Sequence, residues 1–151
     1  QFYMNRRLFA PSLIAEEIIR QGYTPVIVGH KDCVSQKEKE EVYPCGTEFF
    51  EGLELADTAG IIESLDGMIN EDSGIMHVTA AMDTPQVAIF GPTAAMKNRP
   101  WNDKARVIKQ DIECVPCQYT NRAINCTDNK CMNIDLKFIV DTIALLIEQY
   151  S

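Results

Sequence analysis

The feature that most constrains the fold of this sequence is an alternation of helix-patterned segments with short apolar runs. Apolar residues recur at helical spacing over residues 9–21, 55–65, 75–82 and 136–150. Between these segments stand short runs without polar alternation, of which residues 25–28 and 86–90 are the most apolar. Neighbouring parallel strands need crossover helices, so this order predicts an α/β fold with a parallel sheet.

The strands predicted from these runs cover residues 25–28, 68–70, 86–90 and 106–108. The first of them ends at Gly29 and has the form of a strand covered on both faces. Asp135 or Asn133 is the expected N-cap of the last helix. The charged stretch 31–45 predicts a solvated helix or loop, and residues 91–105 form a long connection of the kind that often carries function.

Composition excludes several classes of protein. The 151 residues include 14 Lys and Arg against 22 Asp and Glu, a net charge of −8. A binder of nucleic acid needs a basic face, so nucleic acid is not the expected partner. No apolar run reaches the ~18 residues of a membrane span, and the length predicts one domain spanning 1–151. Gln1 follows neither an initiator Met nor a signal peptide, so we expect that residues upstream are missing.

The stretch most informative about chemistry runs from Asn70 to His77, a polar, glycine-containing turn between a strand and a helix. Ligands of open parallel sheets bind at the carboxyl ends of strands, and a helix start offers N–H groups and a positive dipole end to an anion. Gly74 allows close approach of a diphosphate, and the Ser73 hydroxyl can donate to it. The alternative is that Asp72 and Ser73 only cap the helix and that His77 satisfies a core hydrogen bond.

At this point the sequence resembles a family. The run Asp72-Ser73-Gly74-Ile75-Met76-His77-Val78-Thr79-Ala80-Ala81, followed by Thr84-Pro85-Gln86-Val87-Ala88-Ile89-Phe90-Gly91-Pro92-Thr93, is similar to the C-terminal half of glycosyltransferase family 9, the heptosyltransferase type. The family pattern is D-[ST]-G-x-x-H-x-A-A-A, a short gap and P-x-V-x-[IL]-F-G-P-T. The match covers about 22 residues and keeps the spacing between its two halves.

The resemblance implies one Rossmann-like half of a GT-B enzyme, whose two domains face each other across a cleft. This chain would be the C-terminal, donor-binding domain, and the N-terminal acceptor domain would be absent from it. The resemblance also implies which residues bind the donor: Asp72, Ser73, Gly74, His77, Gly91, Pro92 and Thr93.

The activity implied is transfer of a sugar, with inversion, from a nucleoside diphosphate donor to a lipopolysaccharide or another surface glycan of a bacterium. ADP-heptose is the expected donor, and a glycolipid acceptor would bind through the missing domain. The catalytic base is also expected there, so this fragment should bind donor without turnover and without a required cofactor. The full protein would be cytoplasmic or peripheral at the inner membrane.

The sequence departs from the family pattern at two places. Thr79 stands where the family has a small apolar residue, a change that we expect a helix surface to absorb. The turn Gly29-His30-Lys31-Asp32 replaces a Gly-Gly-x-x-Glu turn whose acid can reach the ribose. The second departure leaves the identity of the nucleotide base open.

Four of the six cysteines, Cys114, Cys117, Cys126 and Cys131, fall within 18 residues. The first pair has the spacing of a zinc knuckle, so a structural zinc site is one prediction, with disulfides or reduced thiols as the others. The absence of a signal peptide favours a reducing compartment. No His stands near the cluster in the sequence, which argues against catalytic thiols.

Two other classes of function stay open at this point: a non-catalytic nucleotide-binding module and a zinc-stapled interaction module. Trp101, which follows Pro100 in the long connection, either anchors that loop or packs on a domain interface or the donor sugar.

Overall fold

The computed structural model describes residues 11–120 and 126–151. Helices and strands alternate through most of this part, as the sequence predicts. In chain order they are α1 (Pro11–Arg20), β1 (Val26–Gly29), α2 (Gln36–Glu41), β2 (Glu48–Glu51), α3 (Leu55–Ser64), β3 (Met68–Glu71), α4 (Gly74–Ala81), β4 (Gln86–Phe90), α5 (Ala95–Asn98), β5 (Ala105–Lys109), a 3₁₀ turn (Lys130–Met132) and α6 (Leu136–Tyr150).

All strand pairs in the described ranges are parallel, and they form two sheets. One contains β1 and β2, with Val26 opposite Glu48, and the other has the order β3-β4-β5, with Met68 opposite Gln86. The α/β class with a parallel sheet and flanking helices is therefore confirmed. The strand β2 was not predicted, because its two apolar residues stand between two glutamates.

The main core lies between the β3-β4-β5 sheet and α6. All five residues of β4 are buried, and they alternate between the two faces of the sheet. Val87 and Ile89 pack with Ile139 and Ile143 of α6, whereas Ala88 and Phe90 pack with Met76 of α4. Burial on both faces explains why β4 is a continuous apolar run after Gln86.

The outer helices are fixed by caps and by contacts with their neighbours. Asp135 is the N-cap of α6 as predicted, and its carboxylate accepts a hydrogen bond from the Lys137 amide at 3.0 Å. Gln21, just after α1, donates to Asp141 of α6 at 2.7 Å, which holds these two helices together. The charged stretch contains α2, whose residues are exposed or half-buried and whose Ser35 and Glu38 form a capping box.

Among residues 11–120 and 126–151, no helix is both long and apolar enough to cross a membrane.

Candidate functional site at the start of α4

The residues of the Asp-Ser-Gly turn lie where the strand β3 ends and α4 begins. The Asp72 amide donates to the Ile89 carbonyl at 3.2 Å, so the hydrogen bonds between β3 and β4 continue to Asp72, two residues before the helix. Ser73 is the N-cap residue, with extended backbone (φ −149°, ψ 171°), and Gly74 is the first helical residue. The strand ladder and the helix thus fix both ends of the turn.

Ser73 occupies the capping position, but its side chain makes no capping hydrogen bond. Its residue is exposed, and so is Gly74. No atom outside the adjoining backbone lies within 4 Å of the position that a Cβ on Gly74 would occupy. The capping alternative therefore does not explain Ser73, and the helix start is open to a ligand.

Asp72 faces a different neighbour. Its side chain is buried, and its Oδ2 atom accepts a hydrogen bond from the Asn98 Nδ2 atom at 3.2 Å. Asn98 is the last residue of α5, in the long connection after β4. A buried carboxylate needs a favourable partner, and the Asn98 amide is one. Asn98 was not predicted as a site residue.

His77 lies one turn into α4 and is exposed. It therefore does not satisfy a hydrogen bond in the core, which was the structural alternative. His77 and Gly74 thus belong to the same helix. Whether it contacts a ligand stays a prediction.

The loop Gly91-Pro92-Thr93 follows β4, and all three residues are buried. A Cβ on Gly91 would overlap the Met132 side chain, so a larger residue here would require Met132 to move. The Pro92 carbonyl accepts hydrogen bonds from the amides of Cys117 and Gln118, both at 2.9 Å. The Thr93 hydroxyl has no hydrogen-bond partner although it is buried, which leaves it able to bond to a ligand or water.

A buried polar network beneath α4 was missed at the sequence level. The Asn70 amide donates to Thr79 Oγ1 at 3.2 Å and to Gln86 Oε1 at 3.1 Å. Gln86 in turn donates to the Met76 carbonyl at 3.2 Å. The prediction that Thr79 lies on a helix surface is wrong, because its side chain is fully buried and bonded to Asn70. This network fixes α4 against β3 and β4.

A second cluster of polar side chains lies at the carboxyl ends of β1 and β2. Glu51 accepts hydrogen bonds from the Cys33 thiol and the Val34 amide, both at 2.9 Å, and forms an ion pair with Lys39. The Cys33 thiol first, and then Lys39, lower the pKa of Glu51 to about 2. Asp32, in the turn that departs from the family pattern, is exposed with φ 56°.

Of the four clustered cysteines, Cys117 and Cys131 are buried, and Cys114 and Cys126 are half-buried. Burial, and then the thiols of Cys117, Cys114 and Cys126, raise the pKa of Cys131 to about 11. In the described ranges no three His, Cys, Asp or Glu side chains are arranged to hold a metal ion. A zinc site at these cysteines stays a prediction.

The long connection between β4 and β5 presents two large apolar side chains to solvent. Trp101 is 91% exposed and Met96 is 94% exposed, whereas Pro100 between them is buried. Trp101 therefore does not anchor the loop.

The fold and this site define a class: an open parallel α/β domain with an accessible helix N-terminus at the carboxyl end of a strand. Residues 13–127 match glycosyltransferase family 9 (heptosyltransferase). This match covers well over half of the chain, so the protein belongs to glycosyltransferase family 9.

Individual relatives agree with this assignment. The chain is 40% identical over 73 residues to lipooligosaccharide heptosyltransferase 2 of Campylobacter jejuni, covering 48% of the chain and 22% of that protein. It is 31% identical over 111 residues to lipopolysaccharide heptosyltransferase 2 of Salmonella typhimurium, covering 64% of the chain and 29% of that protein. The chain thus spans less than a third of the length of these relatives.

A solved structure gives the same fold. The crystal structure of the family 9 glycosyl transferase from Veillonella parvula superimposes with a TM-score of 0.77 at 20% identity. The superposition covers 96% of this chain and 43% of that one.

Proposed function

We propose that this chain is the donor-binding domain of a heptosyltransferase-like enzyme, with ADP-heptose as the donor. The observation that carries the proposal is the open helix start, where the exposed Ser73 makes no capping bond and Gly74 has free space above it. The names of the relatives support a heptosyl donor and a lipopolysaccharide or lipooligosaccharide acceptor.

The helix start provides the charge stabilisation that a departing diphosphate needs. The first N–H groups of α4 and its positive dipole end point toward the space above Gly74. The Ser73 hydroxyl can donate to a phosphate oxygen, and the buried Thr93 hydroxyl is a further candidate donor. These groups bind the developing negative charge without requiring a metal ion.

The loop after β4 supplies the second part of the site. Asn98 bonds to Asp72 and so joins this loop to the helix start. Lys97 and Arg99 flank Asn98 and are exposed. Their charges offset the acidic character of the chain at this point and favour a dianionic ligand.

The proposed reaction is an inverting sugar transfer. An acceptor hydroxyl oxygen forms a bond to the anomeric carbon, the bond from that carbon to the diphosphate oxygen breaks, and the sugar inverts. A general base removes the hydroxyl proton. We propose that the base and the acceptor site belong to another domain, which also provides any contact with the inner membrane on its cytoplasmic side. The present chain, at a net charge of −8, would be repelled by anionic lipids.

The test is calorimetric titration of the natural polypeptide, as the organism makes it, with ADP, UDP, GDP and CDP. We expect ADP to bind and a Gly74→Val substitution to abolish binding. Gly60→Val is the matched control, because Gly60 also has no atom within 4 Å of its Cβ position but lies in α3. Absence of binding by all four nucleotides at millimolar concentration would contradict the proposal and favour a non-catalytic module.

A further inference from the structure

Three loops leave the β3-β4-β5 sheet at the carboxyl ends of its strands. Because the three strands are parallel, these ends lie along one edge of the sheet. The first loop is the Asp-Ser-Gly turn after β3, and the second is Gly91-Pro92-Thr93 after β4. No residue of the third, the segment 110–120 after β5, belongs to the proposed donor site.

The third loop folds back onto the second. The Pro92 carbonyl accepts hydrogen bonds from the amides of Cys117 and Gln118, both at 2.9 Å. This carbonyl belongs to the peptide group that joins Pro92 to Thr93, so Gln118 and Thr93 are neighbours in space. Residues from the carboxyl ends of β4 and β5 thus lie side by side.

Gln118 and Thr93 share an unpaired polar atom. The Oε1 atom of Gln118 and the Oγ1 atom of Thr93 are both buried, and neither has a hydrogen-bond partner. Buried polar groups in proteins are nearly always paired, because an unpaired group keeps the full cost of leaving water. Two such groups in neighbouring residues are typical of a binding site whose ligand supplies the missing bonds.

The side chain of Gln118 can reach a ligand. The residue is only half-buried, although its Oε1 atom is covered. Rotation about the side-chain torsions turns the amide to the open side, and the oxygen has no hydrogen bond to break. The turn that carries Gln118 is held in place, because the Thr120 amide and hydroxyl both bond to the Cys117 carbonyl, at 3.1 and 2.6 Å.

Tyr119, the next residue, adds an aromatic surface. It is 84% exposed, and its backbone lies in the left-handed region with φ 67°, which a bulky side chain rarely adopts. Residues in such conformations cluster at ligand sites. The Tyr119 ring offers an apolar face to C–H groups, and its hydroxyl is a polar tip.

The chemistry of this turn suits a sugar. A carboxamide both donates and accepts hydrogen bonds, as the hydroxyl groups of a sugar do. A nucleobase needs an enclosed, mostly apolar pocket. The turn instead lies at the surface, with Gln118 half-buried and Tyr119 and Thr120 exposed.

We propose that Gln118 is a specificity-determining residue of the donor site, whose side-chain amide binds hydroxyl groups of the transferred sugar. The inference rests on the proposed function, in which the diphosphate binds at the start of α4. A donor that extends from there along the loop after β4 brings its sugar to Gln118, with Tyr119 beside the sugar ring. A sugar that lacks the matching hydroxyl leaves the amide unpaired, and this loss is the basis of discrimination.

The test is calorimetric titration of the natural polypeptide and of its Gln118→Leu variant with ADP and with ADP-heptose. Leucine keeps much of the bulk of the side chain and removes the amide. We expect the affinity for ADP-heptose to fall about three- to tenfold, the effect of losing a hydrogen bond, while the affinity for ADP stays within about twofold. Retained ADP binding also shows that the variant is folded.

Gln110→Leu is the matched control. Gln110 lies in the same connection after β5, but its amide donates to the Asn133 carbonyl at 2.6 Å. This substitution should leave the ratio of the two affinities unchanged.

Two results with Gln118→Leu would overturn the inference alone: an equal loss of affinity for ADP and ADP-heptose, or no loss for either. Absence of ADP binding to the unsubstituted polypeptide would overturn the proposed function and this inference with it. The two failures are therefore distinguishable.

Discussion

The amide of Asn98 donates to the carboxylate of Asp72 across 3.2 Å and connects the end of α5 to the start of α4. The two residues are 26 positions apart, on loops that follow neighbouring strands. The bond aligns Asp72 and holds the connection after β4 close to the proposed diphosphate site. Asn98 is thus a positioning residue for that site.

We expect Asn98→Ala to weaken nucleotide binding roughly tenfold or more, because a hydrogen bond to a charged group is worth about 1.5–3 kcal/mol. Calorimetric titration with ADP measures this. Asn102→Ala is the control: it lies in the same loop but contacts the Thr84 carbonyl instead of Asp72. Equal losses in both variants would mean that Asn98 acts only on loop stability.

A substitution at Gly74 separates ligand binding from folding. Since no protein side chain approaches its Cβ position, Gly74→Ala should leave the free energy of unfolding unchanged or raise it by up to about 1 kcal/mol. The added methyl group would occupy the space of the bound diphosphate, so affinity should fall at least about tenfold. Urea unfolding and calorimetry on the same sample test both statements, with Gly60→Ala as the comparison.

How far the sequence predicts this fold depends on the range of the interactions. The strands β1, β3, β4 and β5 and the long helices were predicted because each has its own apolar pattern. The strand β2 has only Phe49 and Phe50 between Glu48 and Glu51. Its pairing is decided by β1, and the Glu51 carboxylate is held by residues 12 to 18 positions away. Such contacts leave no local signal.

The candidate site shows the same division. Asp72, Ser73 and Gly74 were found because the turn is contiguous in the sequence. Asn98 and the network of Asn70, Thr79 and Gln86 were not, because an amide that is buried and paired looks in sequence like any surface amide. The error on Thr79 has this cause: helical periodicity does not say which polar residue has a partner inside.

The buried network gives a prediction about stability. Thr79→Val removes the hydroxyl that accepts from Asn70 and should lower the free energy of unfolding by roughly 1–3 kcal/mol, since a buried donor loses a partner. Thr142→Val is the matched control. Thr79 also donates to the Ile75 carbonyl at 2.9 Å, and Thr142 donates to the Phe138 carbonyl at 2.6 Å in the same way but in an exposed setting. Thr142→Val should change the free energy of unfolding by no more than about 0.5 kcal/mol. Urea unfolding of the two variants measures both changes.

The thiols give a prediction about reactivity. Cys131 is buried and its pKa is raised to about 11, so at pH 8 it is protonated and should react slowly with iodoacetamide. Cys45 is exposed and should be modified first. Peptide mass spectrometry after timed alkylation gives the order in which the cysteines react. In urea, where the protein is unfolded, we expect their alkylation rates to become similar. Early modification of Cys131 in the native protein would contradict its burial.

The ion pair at the end of β2 predicts how stability depends on pH. The pKa of Glu51 is lowered in the folded protein to about 2, against 4.5 for the free side chain. A lowered folded-state pKa means that Glu51 stabilises the fold fully above about pH 4.5 and that this contribution is lost as the pH falls toward about 2. Glu51→Gln should therefore destabilise the protein at pH 6 and have little effect near pH 2.

Glu48→Gln, an exposed position on the same strand, should not reproduce this pH dependence. Urea unfolding of both variants between pH 2 and 7 makes the comparison, and parallel curves for the two would show that the Cys33 and Lys39 contacts of Glu51 do not contribute.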